Sequence, residues 1–279
     1  PAGTFMMGEG MRDEVQYQQH CLDYGYWLAV YPVTFGHFQT FMDEDGYLSQ
    51  KWWREANAAG YWTSKGYRDF YNAPGSSGEA NEPVRGVSWY EGLAFCRWLN
   101  ARWEKQLPAG FQLRLPTIAE WEKGARGGLE IPYRPAIGTI STIADFNHVI
   151  ALDPNPIPRR SYPWGNEITL QHANIEKSGI EMISAVGLFS RGRTPYGCLD
   201  MIGNVYEWTT TRYNRGVRYA VDGRDLLARE SEDTTILMGG GYYDASVEHF
   251  IKSGGRDGGS PDADLGRYGF RIVLSPFAL

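Results

Sequence analysis

Cysteine is scarce in this chain: Cys21, Cys96 and Cys198 are the only three in 279 residues. An odd count without paired spacing argues against a disulfide framework and favours a reducing, cytoplasmic compartment. Histidine is nearly as rare. His20, His37, His148, His172 and His249 are scattered, no two at helical ligand spacing, so no transition-metal centre is expected. Excess positive charge is missing too. The net charge is −6 and the isoelectric point about 5.5, which argues against nucleic acid as a partner. Arg212, Arg215 and Arg218 form a local basic group, read as a solvated hairpin face. No apolar run is long enough to span a membrane, and no leader pattern opens the chain. The sequence begins at Pro1, which leaves room for an upstream domain or a removed leader. With a leader, surface display would replace the cytoplasmic assignment.

Aromatic residues and glycine are abundant. Aromatics make up 14%, with 10 Trp and 18 Tyr, beside 34 Gly and 42% hydrophobic residues overall. That mix suits one loop-rich domain over 1–279, held by aromatic clusters, better than a helical bundle.

Local chemistry places the elements. Residues 1–8 read as a strand and turn, and 24–30 as a strand rich in aromatic and branched side chains. Thr34 is a candidate N-cap for a helix to about Met42, with Phe38, Phe41 and Met42 on one face. The stretch 43–83 has little periodicity and reads as a packed loop anchored by Trp52, Trp53 and Trp62. Ser88 with Glu91, and Thr117 with Glu120, have the spacing of capping boxes. The first opens a helix to about Glu104 with Leu93, Cys96 and Leu99 inward. The second opens one carrying Trp121 and Ala125, which stops at Gly127-Gly128. Six prolines between 132 and 163 exclude a regular element through much of that stretch. Strands at both ends and two central helices make an α+β fold.

The segments GTFMMG, EPVRGVSWYEGLAFCRWLN, RLPTIAEWEKGARGG, YPWGNE, GCLDMIGNVYEWT, Gly239-Gly240-Gly241-Tyr242 and GFRIV follow in order. In that order the chain resembles the formylglycine-generating (sulfatase-modifying) family, an elaborated C-type-lectin-like fold. The resemblance implies a calcium site at the side chains of Asp200 and Glu207 and the carbonyls of Gly203 and Val205. These are hard oxygen donors around a glycine-containing turn, as calcium requires. The alternative is that Glu207 caps a turn and Asn204 makes local backbone bonds. A second family calcium site would follow Asn174-Ile175, but 176–187 lacks the aspartate it needs.

The enzymes of the family place two copper-binding cysteines just after the glycine run. Here Asp244 and His249 fall near those positions, and neither offers a soft thiolate. No copper and no thiol-oxidase chemistry are therefore expected. A triad built from Asp244, Ser246 and His249 would lie within one short segment without a nucleophile elbow, so it is set aside. Phe270 is expected in the core, and Arg271 paired with a carboxylate.

Between these fixed ends, 242–268 is rich in Tyr, Ser, Gly and Asp, the vocabulary of adaptable binding surfaces. This resembles the variable proteins of diversity-generating retroelements, whose hypervariable segment lies between such ends. Adenine-directed mutagenesis of Asn codons yields most residues found here, with Glu248 and Lys252 as exceptions. The expected role is non-catalytic display of this segment to a protein or glycan. The candidate contacts are Tyr243, Asp244, Ser246, His249, Phe250, Gly255, Asp257, Gly258, Asp264 and Tyr268, with Tyr243, Phe250 and Tyr268 as anchors. The alternatives are an oxidase using other ligands and a regulatory or structural domain of a larger protein.

Overall fold

In the computed structural model, residues 1–8, 17–44, 46–63, 78–143, 150–212, 235–242 and 251–276 are described. The first strand, β1 (Gly3–Met7), pairs antiparallel with β2 (Gln18–Leu22), bringing Phe5 opposite His20. The strand expected over 24–30 shrinks to β3 (Trp27–Leu28). Past Leu28 the Ala29 N–H still reaches Ile272 O (3.0 Å), but the Ala29 carbonyl turns to the Arg271 guanidinium (3.0 Å) and the Val30 carbonyl to Leu199 N (2.8 Å) and Arg271 (3.4 Å).

Helix α1 (Phe35–Asp43) starts at Thr34 as expected, and Phe38, Phe41 and Met42 are its buried face. The reciprocal cap comes from His37, whose Nδ1 accepts the Thr34 N–H. Within 43–83 a short α2 (Arg54–Ala58) forms, a length too small to show a period in sequence. Trp53 anchors this region: its Nε1 donates to Gly46 O at 2.8 Å and its ring packs on Phe41, Tyr47 and Trp62.

Both capping boxes are present. Glu91 and Ser88 close the start of α3 (Trp89–Trp103), which leads to β4 (Gln112–Arg114). Glu120 and Thr117 close the start of α4 (Ile118–Arg126), which ends at Gly127 with φ 87°. The proline-rich stretch is more ordered than its composition suggests. It holds β5 (Glu130–Pro132), one turn of helix α5 (Ile140–Ile143) and β6 (Leu152–Pro154), with β5 and β6 antiparallel. A two-stranded sheet is all edge, so a proline lacking its N–H costs no ladder bond on the open side.

The C-terminal third supplies β7 (Tyr206–Arg212), β8 (Thr235–Met238), β9 (Arg256–Gly259), β10 (Tyr268–Gly269) and β11 (Val273–Ser275). One sheet has the order β10-β7-β8-β9, with β10 parallel to β7 and the rest antiparallel. A second has the order β3-β11-β4. The larger core packs α1 and α3 against β7 and Phe270, with Trp53, Trp89 and Trp208 fully buried. A second cluster joins β1, β2 and α4 around Phe5 and Trp121.

Candidate functional site

The candidate site is the segment between the glycine run and Gly-Phe-Arg, and the core fixes both its ends. After β8 the chain turns through Gly239 and Gly240, with φ of 90° and 67°. A Cβ on Gly239 would lie 2.7 Å from Met201 O, so only glycine lets the two backbones meet. Gly203 N then donates to Gly239 O (2.9 Å), and Tyr242 N to Asn204 O (3.3 Å).

Asn204 is fully buried and does not make the local bonds weighed as an alternative to calcium. Its side chain bridges to Ser184, accepting its N–H at 3.0 Å and donating to its carbonyl at 3.0 Å. It also accepts from Asn174 Nδ2 at 3.2 Å. Three distant stretches of irregular chain are thereby tied together beneath the glycine turn.

The closing end is held by charge. Arg271 is fully buried, with Nε 2.5 Å from Glu207 Oε2 and Nη2 2.7 Å from Glu207 Oε1. Trp121 Nε1 adds a bond to Oε2 at 2.6 Å. The remaining guanidinium donors reach the carbonyls of Ala29, Leu199 and Asp200 at 3.0 to 3.2 Å. The carboxylate partner expected for Arg271 is thus Glu207. Phe270 lies in the core against Phe38 and Phe95, also as expected.

This pairing bears on calcium. Glu207 Oε2 takes two donors, whereas Oε1 takes one and keeps a lone pair. Asp200 is buried at φ 54° and accepts the Gly187 N–H through Oδ2 alone (2.6 Å). Burial raises its carboxyl to about 6. Of the oxygen donors named for calcium, Glu207 is thus shared with the guanidinium and Asp200 keeps Oδ1 beside its bond to Gly187. Among the described residues no group of three or more His, Cys, Asp or Glu side chains could hold a metal.

Among its described residues, part of the segment is built into the sheet. Ile251 is in the core, and Gly255 is buried. Asp257 and Gly258 are half-buried in β9 opposite Leu237 and Ile236 of β8. Tyr268 is a correction to the expected anchors. It is 3% exposed, with its ring edge-on to Trp208 at 5.1 Å and to Tyr206 at 6.1 Å. Its strand of two residues has no period that sequence could reveal.

Among the described residues the segment's exposed stretch is 264–266, where Asp264 and Leu265 face solvent, and just before it Asp262 bonds the Tyr61 phenol. Pro261 O accepts the Trp89 N–H at 3.1 Å, tying this loop to the start of α3. Tyr243, Asp244, Ser246, His249 and Phe250 lie outside the described residues, as do His148, Arg215 and Arg218.

All three cysteines are free. Burial pushes the Cys96 thiol up to about 12 and raises that of Cys198, so neither is an activated thiolate. Sequence reasoning missed Arg256 and Glu122, which approach to 3.8 Å and join β9 to α4. The i,i+4 pair of Glu122 and Arg126, bonded at 3.0 Å, was visible in sequence, but its burial was not.

The model of the sulfatase-modifying factor enzyme 1-like domain matches residues 1–276. The chain belongs to that family. It is 25% identical over 320 residues to the inactive C-alpha-formylglycine-generating enzyme 2 of Mus musculus, covering 99% of this chain and 84% of that protein. It is 30% identical over 191 residues to the hercynine oxygenase of Mycobacterium tuberculosis (64% and 36% covered). A serine/threonine-protein kinase, pkn1, of Chlamydia caviae is 26% identical over 275 residues, with 97% and 36% covered. The chain thus spans only about a third of the hercynine oxygenase and kinase chains. Among solved structures, PvdO from Pseudomonas aeruginosa superimposes with a TM-score of 0.61 at 19% identity (99% and 92% covered). The Treponema denticola variable protein 1 gives 0.57 at 19% identity, with 97% and 92% covered. These two likenesses establish the fold. Among the described residues, no helix is long and apolar enough to cross a membrane.

Proposed function

We propose that this chain is a non-catalytic binding module that presents its C-terminal segment to a protein or glycan. The observation that carries the reading is the contrast between the segment's anchored ends and its exposed residues at 264–266. The glycine turn and the Glu207–Arg271 pair are buried, while Asp264 and Leu265 face solvent. No cysteine lies between Gly241 and Gly269, so the segment itself brings no thiolate for copper. Relatives named as inactive support the same direction. With Tyr268 in the core, the contact set shifts toward 264–266. A structural calcium ion at Asp200, Gly203, Val205 and Glu207 belongs to this reading. It would neutralise the buried Asp200 carboxylate and stiffen the turn beneath the segment.

Copper content and oxygen consumption with a cysteine-containing peptide test the non-catalytic part. The expected result is no stoichiometric copper and no turnover; copper with turnover would overturn it. Sequencing the same locus in several isolates tests the display part. Differences confined to 242–268 are expected, and differences spread evenly along the chain would contradict it.

A second reading rests on coverage. The kinase match takes in 97% of this chain but 36% of that protein, so this fold also occurs as one part of a longer chain. Here the module would serve as the recognition part of a larger protein, and the same surface would carry it.

A further inference from the structure

Away from this segment, a deep recess opens beside the β3-β11-β4 sheet. Trp27 and Leu28 of β3 and Tyr196 line both its inner and outer parts, and Ile140 of α5 walls the outer one. The inner part holds about 90 Å³ and the outer part about 370 Å³. The outer part falls within the range of about 300–1,000 Å³ usual for small-molecule sites.

Lys123 of α4 lines the inner end and is only 2% exposed. Its Nζ donates to the carbonyls of Pro1 (2.7 Å) and Gly3 (3.0 Å). Both partners are neutral, and among the described residues no carboxylate pairs with this ammonium. An ammonium has three donors, so one N–H and the whole charge remain for another group. A buried charge without a counter-ion is costly, which makes this end of the recess attractive to an anion. Tyr196 adds a second donor. Its oxygen accepts the Gly128 N–H at 3.0 Å, leaving its own proton to give.

We infer that this recess binds a small apolar monocarboxylate. Its two oxygens would take the Lys123 ammonium and the Tyr196 hydroxyl, and its aliphatic or aryl tail would lie along Trp27, Leu28 and Ile140. Charge complementarity decides the head group and the apolar walls decide the tail. The site is separate from the C-terminal segment and does not depend on what that segment recognises.

Calorimetric titration of the full chain with octanoate, and in parallel with 1-octanol, tests the inference. Octanoate should bind at least tenfold tighter than octanol. In Lys123→Met that preference should vanish. If this variant does not fold, Ala136→Trp on the half-exposed rim serves instead, by filling the shared part of the recess and blocking both ligands. Equal affinity for acid and alcohol in the wild type would overturn the inference. So would a lack of octanoate binding to the folded protein, or binding unchanged in Ala136→Trp.

Discussion

Arg271 and Glu207 are 64 residues apart in sequence, yet the guanidinium fork spans both carboxylate oxygens in a fully buried site. The pair joins the connection between β10 and β11 to β7. A buried fork of this kind is specific in geometry, and a lysine cannot reproduce it. Removing one partner leaves a naked charge in the core. Arg271→Met and Glu207→Leu should each cost about 3–5 kcal/mol in urea unfolding. The double variant should lose less than the sum of the two. Additive losses would mean the charges are not coupled.

Much of the fold was legible because its signals are local. Thr34, Ser88 and Thr117 announce their helices within a few residues, and the capping partners Glu91 and Glu120 stand three positions on. The site was legible only in part. Sequence indicated that Arg271 would find a carboxylate but assigned Glu207 to calcium, since nothing local connects residues so far apart. Helix α4 hid its role in another way. Glu120, Glu122, Lys123 and Arg126 look like a solvent face but are all buried, because loops and β1 cover that helix. The resemblance to a known family supplied the order of the loops, which periodicity alone does not encode.

Tyr268 illustrates how a surface vocabulary can mislead. Its ring fills the space between Trp208 and Tyr206. Tyr268→Ala should cost about 3–5 kcal/mol, the scale of emptying a large aromatic site in a core. Leu265→Ala, at 48% exposure, should change stability by less than about 0.5 kcal/mol. Urea midpoints of the two variants decide the matter. A near-neutral Tyr268→Ala would return this residue to the binding surface.

Lys123 gives the protein a pH dependence of a definite sign. Burial brings its amine down from 10.5 to about 8 in the folded chain. Between those values the unfolded Lys123 holds its proton more than the folded one, so its contribution to stability rises with pH from about 8 to 10.5, against the falling contribution of the buried Cys96 and Cys198 thiols. Lys123→Met should flatten that part of the profile. Thermal melts of both proteins at fixed ionic strength across this window would show it, and a wild-type minus variant difference that stays flat or falls with pH would refute the assignment.

Calcium should stabilise the fold if it occupies the turn at Asp200 and Glu207. An ion that binds only the folded state stabilises it by about 2.7 kcal/mol at a hundredfold excess over its dissociation constant. For a chain of this size that is a rise in melting temperature of roughly 5–10 °C. Protein stripped with chelator and then given calcium should show such a rise, while magnesium, which holds its own water tightly, should give much less. Asp200→Ala should abolish the calcium response, since only one carboxylate would remain in the donor set. Glu207 complicates the reading because the same side chain holds Arg271, so loss of Glu207 should destabilise the protein even without the ion. Asp200 is therefore the diagnostic position. A calcium response that survives Asp200→Ala would place the ion elsewhere, and no response in the wild type would leave Arg271 as the cation that serves this turn.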